Sequence, residues 1–199
     1  MRVLIACEES GTVRQMFRAR GHSAFSCDLL PARDGSIDHF EADALEVAYA
    51  GQWDLMIAHP PCDHLAVSGA RWFPEKRADG RQQAALQFVR DLMAAPIPRI
   101  CIENPVSIIS SAIRRPDQII QPWQFWHLGE AGKGEIKATC LWLKNLPKLK
   151  PTTPDETGRH PACWLMGPSP TRKRDRSTTY RGIADAMARQ WGVYHDDVL

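Results

Sequence analysis

The run Leu55-Met-Ile-Ala58, followed at once by His59-Pro60-Pro61-Cys62, constrains this chain more than any other stretch. Four apolar residues bounded by polar ones suit a short buried strand and are too few for a helix. Two successive prolines, which have no N–H to give to a sheet, stop that strand. The backbone must turn there, and Cys62 lies on the turn. Arg99-Ile-Cys-Ile-Glu-Asn-Pro105 repeats the plan, a short apolar run that ends in Glu103, Asn104 and a proline. Between the two, Arg81 to Ala95 places Ala85, Leu86, Phe88, Val89 and Leu92 on one stripe, which predicts a helix ended by Pro96 and Pro98. Strand, helix and strand in this order predict a right-handed βαβ unit with both polar ends on one edge of a parallel sheet. Ligands of open α/β sheets bind at that edge. Cys62 is read there either as a nucleophile or as a small apolar residue that ends a strand.

The amino-terminal part has the same grammar. Arg2 to Cys7 reads as a strand, and Thr12 to Arg20 as a helix with Val13, Met16 and Phe17 on its buried side. The loop between them, Glu8-Glu-Ser-Gly11, lacks a Gly-x-Gly-x-x-Gly pattern, and its two acids would repel a pyrophosphate. A cofactor with positive charge and no phosphate fits better. Ser23 to Asp28 reads as a second strand whose terminal acid either holds ribose hydroxyls or makes an Asx-type turn before Leu29-Leu30-Pro31. Phe40 to Asp43 reads as a third strand and Glu46 to Ala50 as a brief helix. Ala66 to Pro74 reads as an irregular loop carrying Arg71 and Trp72. Ile119 to Phe125 and Lys137 to Leu143 are β-like runs joined through Gly129, Gly132 and Gly134. Pro147 to Pro170 has no periodicity and reads as a surface loop or linker. Thr171 to Arg176 is a basic run, either a phosphate-contacting arm or a solvated loop, and Thr179 to Trp191 is a closing helix with Ile183, Met187 and Trp191 spaced for burial.

A chain of 199 residues, 44% hydrophobic and 24% charged, predicts one globular domain over 1–199, with 147–176 a loop-rich insertion. A net charge of +2 permits a nucleic-acid partner without demanding one. The six cysteines have no Cys-x-x-Cys spacing, which fits reduced thiols in a cytoplasmic protein better than a disulfide framework. His160-Pro-Ala-Cys163 has no second pair to complete a zinc site, so no metal is expected. Neither a leader nor an apolar run of membrane length is apparent, and the chain is expected to be neither exported nor membrane-spanning.

Pro60-Pro-Cys62 followed one helix later by Glu103-Asn-Pro105, behind a matching first strand, resembles the cytosine-C5 DNA methyltransferases, with the likeness carried by Arg2 to Asn104. The resemblance implies a Rossmann-like class I methyltransferase fold, a mostly parallel sheet with an antiparallel edge hairpin. It implies S-adenosylmethionine as cofactor and cytosine in DNA as acceptor. Cys62 would add as a thiolate to carbon 6 of cytosine, Glu103 would protonate nitrogen 3, and Asn104 would orient the loop. Cofactor contacts would come from Cys7, Glu8, Ser10 and Gly11, from Asp28 and Leu29, from Asp43, from His59 and Pro60, and from Ala184. Pro61, Arg71, Lys137 and Thr139 would face the substrate. Glu103, at an apolar strand end, is expected to have a raised pKa, and Cys62 a lowered one aided by helix amino termini and by His59 or His64. DNA contacts are expected from Arg71 with Trp72, from Arg114-Arg115 and from Arg172 to Arg176.

The chain departs from the family in four places. His59 stands where glycine is common, and no Gln-x-Arg-x-Arg segment is present. Asp185 stands in the last motif, Gly182-Ile-Ala-Asp-Ala-Met187, and too little chain separates the hairpin from the last helix for a target-recognition domain. Sequence would then be read by the Pro147 to Pro170 segment or by a second subunit. Two alternatives stay open: the same chemistry on a free cytidine nucleotide, and an idle relative that binds cofactor or DNA as a partner subunit.

Overall fold

The computed structural model describes residues 1–126, 134–153 and 158–193. Seven short runs pair into one sheet: β1 Arg2–Ala6, β2 Ser23–Asp28, β3 His39–Glu41, β4 Leu55–Ala58, β5 Arg99–Pro105, β6 Gln118–Ile120 and β7 Thr139–Lys144. Their order is β3-β2-β1-β4-β5-β7-β6. The first five are parallel to their neighbours, and β7 runs antiparallel to both β5 and β6. This is an α/β, Rossmann-like fold with an antiparallel hairpin at one edge, as the chain predicts.

Among the described residues eight α-helices accompany the sheet: α1 Thr12–Arg18, α2 Ala44–Ala50, α3 Phe73–Ala78, α4 Arg81–Ala94, α5 Ile109–Ala112, α6 Ala162–Leu165, α7 Arg172–Ser177 and α8 Arg181–Trp191. Side chains alternate across each strand, so β4 feeds two cores. Leu55 and Ile57 pack with Val3, Ile5, Phe17, Met187 and Trp191 on the α1/α8 side. Met56 and Ala58 pack with Leu4, Ala6, Leu86, Leu92 and Trp142 on the α2/α4 side. A strand covered on both faces must be apolar at every position, which is why Leu55–Ala58 is an unbroken run. Each such side chain contributes about 1.5–3 kcal/mol by leaving water. The last helix is seated by Gly182, where a Cβ would fall 1.5 Å from the Phe125 carbonyl oxygen, and by Asp185, which meets Arg20 at 2.5 Å.

Several boundaries differ from expectation. Ala66 to Pro74 is not irregular: a 3-10 turn, Val67–Trp72, runs into α3, where Pro74 occupies the first turn, the place a helix accepts proline. Ile119 to Phe125 is not one strand. Pro122 ends it and opens a 3-10 turn, Pro122–Phe125, closed by reciprocal Gln121 and Gln124 bonds. The basic run forms α7 rather than a loop, and Pro147 to Pro170 contains α6. The segment bearing Gly129 and Gly132 lies outside the described residues.

Candidate active site

Register decides which side chains meet at the carboxyl edge of the sheet. Ala6 pairs with Ala58, and Ala58 with Ile102. One residue further, Cys7 and His59 leave the sheet beside Glu103, which stays paired with β7. Because β5 alternates, Glu103 faces the α1/α8 side with Leu141 as its neighbour on β7, whereas Asn104 points to the α2/α4 side. Buried Asn104 donates Nδ2–H to the Pro60 carbonyl at 2.8 Å. A proline pair cannot anchor itself through its own N–H groups, so this bond fixes the turn that carries Cys62. Further bonds tie the segment after Cys62 to the one after β5: Val67 N–H to the Val106 carbonyl at 3.1 Å and Ile108 N–H to the Leu65 carbonyl at 3.0 Å. Pro61 is exposed and Cys62 half-buried.

His59 Nδ1 lies 2.9 Å from Glu103 Oε2, the two side chains being 11% and 18% exposed. Burial opposes charge on both, yet the hydrogen bond and mutual attraction win. His59 is raised above its ordinary range and Glu103 is lowered below its own. The expectation of a proton-holding Glu103 is therefore corrected: the resting carboxyl is ionised, because an imidazole faces it where the sequence suggested only apolar wall. Cys62 is corrected too. Burial, Asp63 and Glu103 raise its thiol, and Lys137 offsets them only in part. The resting site holds a neutral thiol beside an imidazolium–carboxylate pair.

The cofactor side is built differently. Glu8 is buried and spends its carboxylate on the amino end of α1, taking Val13 N–H at 2.7 Å and Arg14 N–H at 3.4 Å, with the Ser10 hydroxyl at 3.1 Å. The Glu8 carboxylate thus occupies the amino end of α1, the place where a Rossmann fold would hold pyrophosphate. Gly11 is left-handed (φ 72°), and a Cβ there would strike Arg14. Cys7 is left-handed as well (φ 58°), and burial with nearby Asp28 raises its thiol. Asp28 Oδ1 accepts Leu30 N–H at 3.0 Å, the Asx turn that its position allowed. Asp43 caps α2 through Leu45 N–H at 2.7 Å. Leu29 is 72% exposed, while Ala184 is fully buried within α8 and offers no surface to a ligand.

On the substrate side, Glu103, Lys137, Thr139, Ser177, Thr179, Tyr180 and Ile183 line one recess. Lys137 donates to the Arg176 carbonyl at 2.7 Å and sits over the Tyr180 ring, which brings the end of α7 to the rim of the site. Arg33, paired with Glu9, also reaches the Thr178 hydroxyl at 3.0 Å. Arg71 is exposed and stacks on Trp72. Arg114 lies elsewhere: it serves Asp117 and the Leu143 carbonyl, toward the opposite end of β7, and is not placed to meet a substrate at Cys62. Tyr180 had no sequence signal, since only the fold brings it near Glu103.

Among the described residues, four buried side-chain polar atoms have no hydrogen-bond partner: His59 Nε2, His64 Nδ1, Asn104 Oδ1 and Ser107 Oγ. All four belong to the two segments that leave β4 and β5. Buried polar atoms are normally paired, so this clustering singles out the ends of β4 and β5 as the candidate site. No group of three or more His, Cys, Asp or Glu side chains among the described residues is placed to hold a metal ion. No helix there is long and apolar enough to cross a membrane. The chain matches no family model, and a search of the curated proteins finds no match either.

Proposed function

We propose that the protein transfers a methyl group from S-adenosylmethionine to carbon 5 of cytosine in DNA. The observation that carries this reading is the constellation at the ends of β4 and β5. Cys62 lies on a turn pinned by Asn104, Glu103 stands beside it, and the unpaired polar atoms gather around both. The antiparallel hairpin beside β5 adds support, being the sheet edge that the resemblance implies.

The residues at the ends of β1 and β2 fit a phosphate-free cofactor. Glu8 fills the helix terminus that would otherwise attract phosphate, Leu29 offers exposed apolar surface, and Asp28 and Asp43 lie on the same edge for hydroxyl and amino groups. When bound, the cofactor supplies an electrophilic methyl group. The chain supplies the rest. Sγ of Cys62 bonds to carbon 6, which makes carbon 5 nucleophilic, and Glu103 meets the charge that develops at nitrogen 3. The exposed basic helix α7, whose end reaches Lys137, is suited to the DNA backbone beside the flipped base. Sequence selectivity would be short or would come from a second subunit.

Incubation with labelled S-adenosylmethionine and duplex DNA, with dCMP in parallel, tests this. Label should enter DNA, with a rate that falls steeply as salt is added, and DNA carrying 5-fluorocytosine should become covalently trapped. Label entering dCMP alone shifts the acceptor to the nucleotide, and none in either disproves the activity.

A further inference from the structure

His59 stands where the family that the chain resembles commonly has glycine, and its side chain makes a contact at this site. The sheet register delivers His59 against Glu103, Nδ1 to Oε2, while Nε2 is buried without a partner. The charged and titratable groups around His59 are Glu103 from β5, Glu8 from the loop after β1 and Lys137 from the approach to β7. Those around Glu103 are His59, Lys137 and, in the same recess, Tyr180 before α8, with the thiols of Cys62, Cys101 and Cys140 within its influence. Among the groups named around the carboxylate, His59 alone both bonds it and can lose a proton near neutrality.

We propose that His59 is the positioning residue of Glu103: its Nδ1 stores the proton that the Glu103 carboxyl hands to nitrogen 3 of the target cytosine. This rests on the methyltransferase reading above. A buried carboxyl without such a partner would hold the proton itself, raised by desolvation. Here the pair's proton rests on the imidazole and is within one hydrogen bond of the carboxylate.

The step balances as follows. Cys62 ionises and its proton leaves to water. The Sγ–C6 bond forms, the C5=C6 pair becomes C4=C5, and the C4=N3 pair moves onto nitrogen 3. Nitrogen 3 takes a proton from Glu103, and Glu103 takes the Nδ1 proton of His59. The result is a neutral enamine, a neutral imidazole and a carboxylate. Once the C4=C5 pair has formed the bond from carbon 5 to the methyl group that the cofactor would supply, its donor leaving as a neutral thioether, the nitrogen 3 lone pair restores C4=N3. The carbon 5 proton then departs to a base, its electrons reform C5=C6, the thiolate is expelled, and nitrogen 3 returns its proton by the same route.

His59→Asn separates storage from mere support, because the amide Nδ2 can take the place of Nδ1 as a donor but holds no transferable proton. We expect wild-type kcat/KM for duplex DNA to persist above pH 6.5, the ordinary histidine value, since the pair keeps the imidazole charged there. In His59→Asn the alkaline limb should move to lower pH, with a loss of about 10–10²-fold on the alkaline side and little on the acid side. Nitrogen-15 NMR of the wild-type ring should show a titration above 6.5 that drops in Glu103→Gln. Superimposable pH profiles differing by a constant factor, or a wild-type ring titrating at or below 6.5, would overturn the proposal. If His59→Asn does not fold, the ring titrations of wild type and Glu103→Gln decide alone. A wild type that methylates no cytosine acceptor yet keeps a Glu103-dependent ring titration would sink the proton's destination together with the methyltransferase reading, and leave the store itself standing.

Discussion

The carboxyl edge of the sheet has two halves, and they treat polar side chains in opposite ways. At the ends of β1 and β2 the polar groups satisfy local structure: Glu8 closes α1, Asp28 makes a turn, Asp43 caps α2, and buried Arg14 bonds Ser26 at 2.6 Å and pairs with Asp34. At the ends of β4 and β5, buried His59, His64, Asn104 and Ser107 each leave an atom unpaired. The first half spends its polar groups on local structure; the second keeps several without a protein partner. Substitution at Glu8 or Asp34 should therefore cost mainly stability, and substitution at Cys62 or Glu103 mainly activity.

The sharpest break of this contrast is at the nucleophile. Cys62→Ser should lower methyl transfer by about 10⁴-fold or more, because a hydroxyl adds far less readily than a thiolate, while the melting temperature stays near that of wild type. Initial rates with labelled cofactor and a thermal melt measure both. A Cys62→Ser protein that methylates at the wild-type rate would remove Cys62 from the chemistry.

Glu103→Gln comes next, with an expected loss of about 10²–10⁴-fold in rate, the usual worth of a positioned acid. Breaking a buried ion pair ordinarily costs stability, but the amide keeps a hydrogen-bonding group beside His59 and the imidazole can shed its proton, so the melting temperature should fall only modestly. If the variant instead melts far below wild type, Glu103 belongs to the scaffold half and the division of the edge is misplaced.

The two halves were also unequally legible in the sequence. The strands at Leu55–Ala58 and Arg99–Pro105 were plain because prolines terminate apolar runs, and Asn104 was assigned the turn that it bonds. The His59–Glu103 pair was not legible. Its partners are 44 residues apart, and only the pairing of Ala58 with Ile102 makes them neighbours. Ala184 was read as a cofactor contact by motif alone and proves buried, since the same spacing that returns a helix to β1 also packs its small residues. Helix α7 escaped because a run of arginines has no apolar stripe to betray it.

On the scaffold side, Glu8→Ala removes the acceptor for two amide donors of α1 and should cost about 1–2 kcal/mol, a typical loss for a capping side chain. Denaturant melts would show it as a lower midpoint with an unchanged slope. A variant of undiminished stability that loses cofactor affinity would return Glu8 to the binding site.

The smallest effect concerns Asp34, and it turns on pH. Burial pushes its carboxyl up, but bonds from Arg14 and Gln15 outweigh that and hold it at about 2, below the ordinary 3.8. The folded state thus favours the ionised form. The resulting stability is present in full above the unfolded value and is lost as pH falls through about 2. With the Asp34 side chain 27% exposed, solvent screening leaves about 1 kcal/mol of it. Asp34→Asn should therefore melt below wild type at neutral pH and converge with it toward pH 2. The rate of methyl transfer per folded molecule should be the same in both. A pH-independent gap between the two melts would mean that the amide disturbs packing rather than charge, and a change in rate would mean that the Arg14 network reaches the β4/β5 half after all.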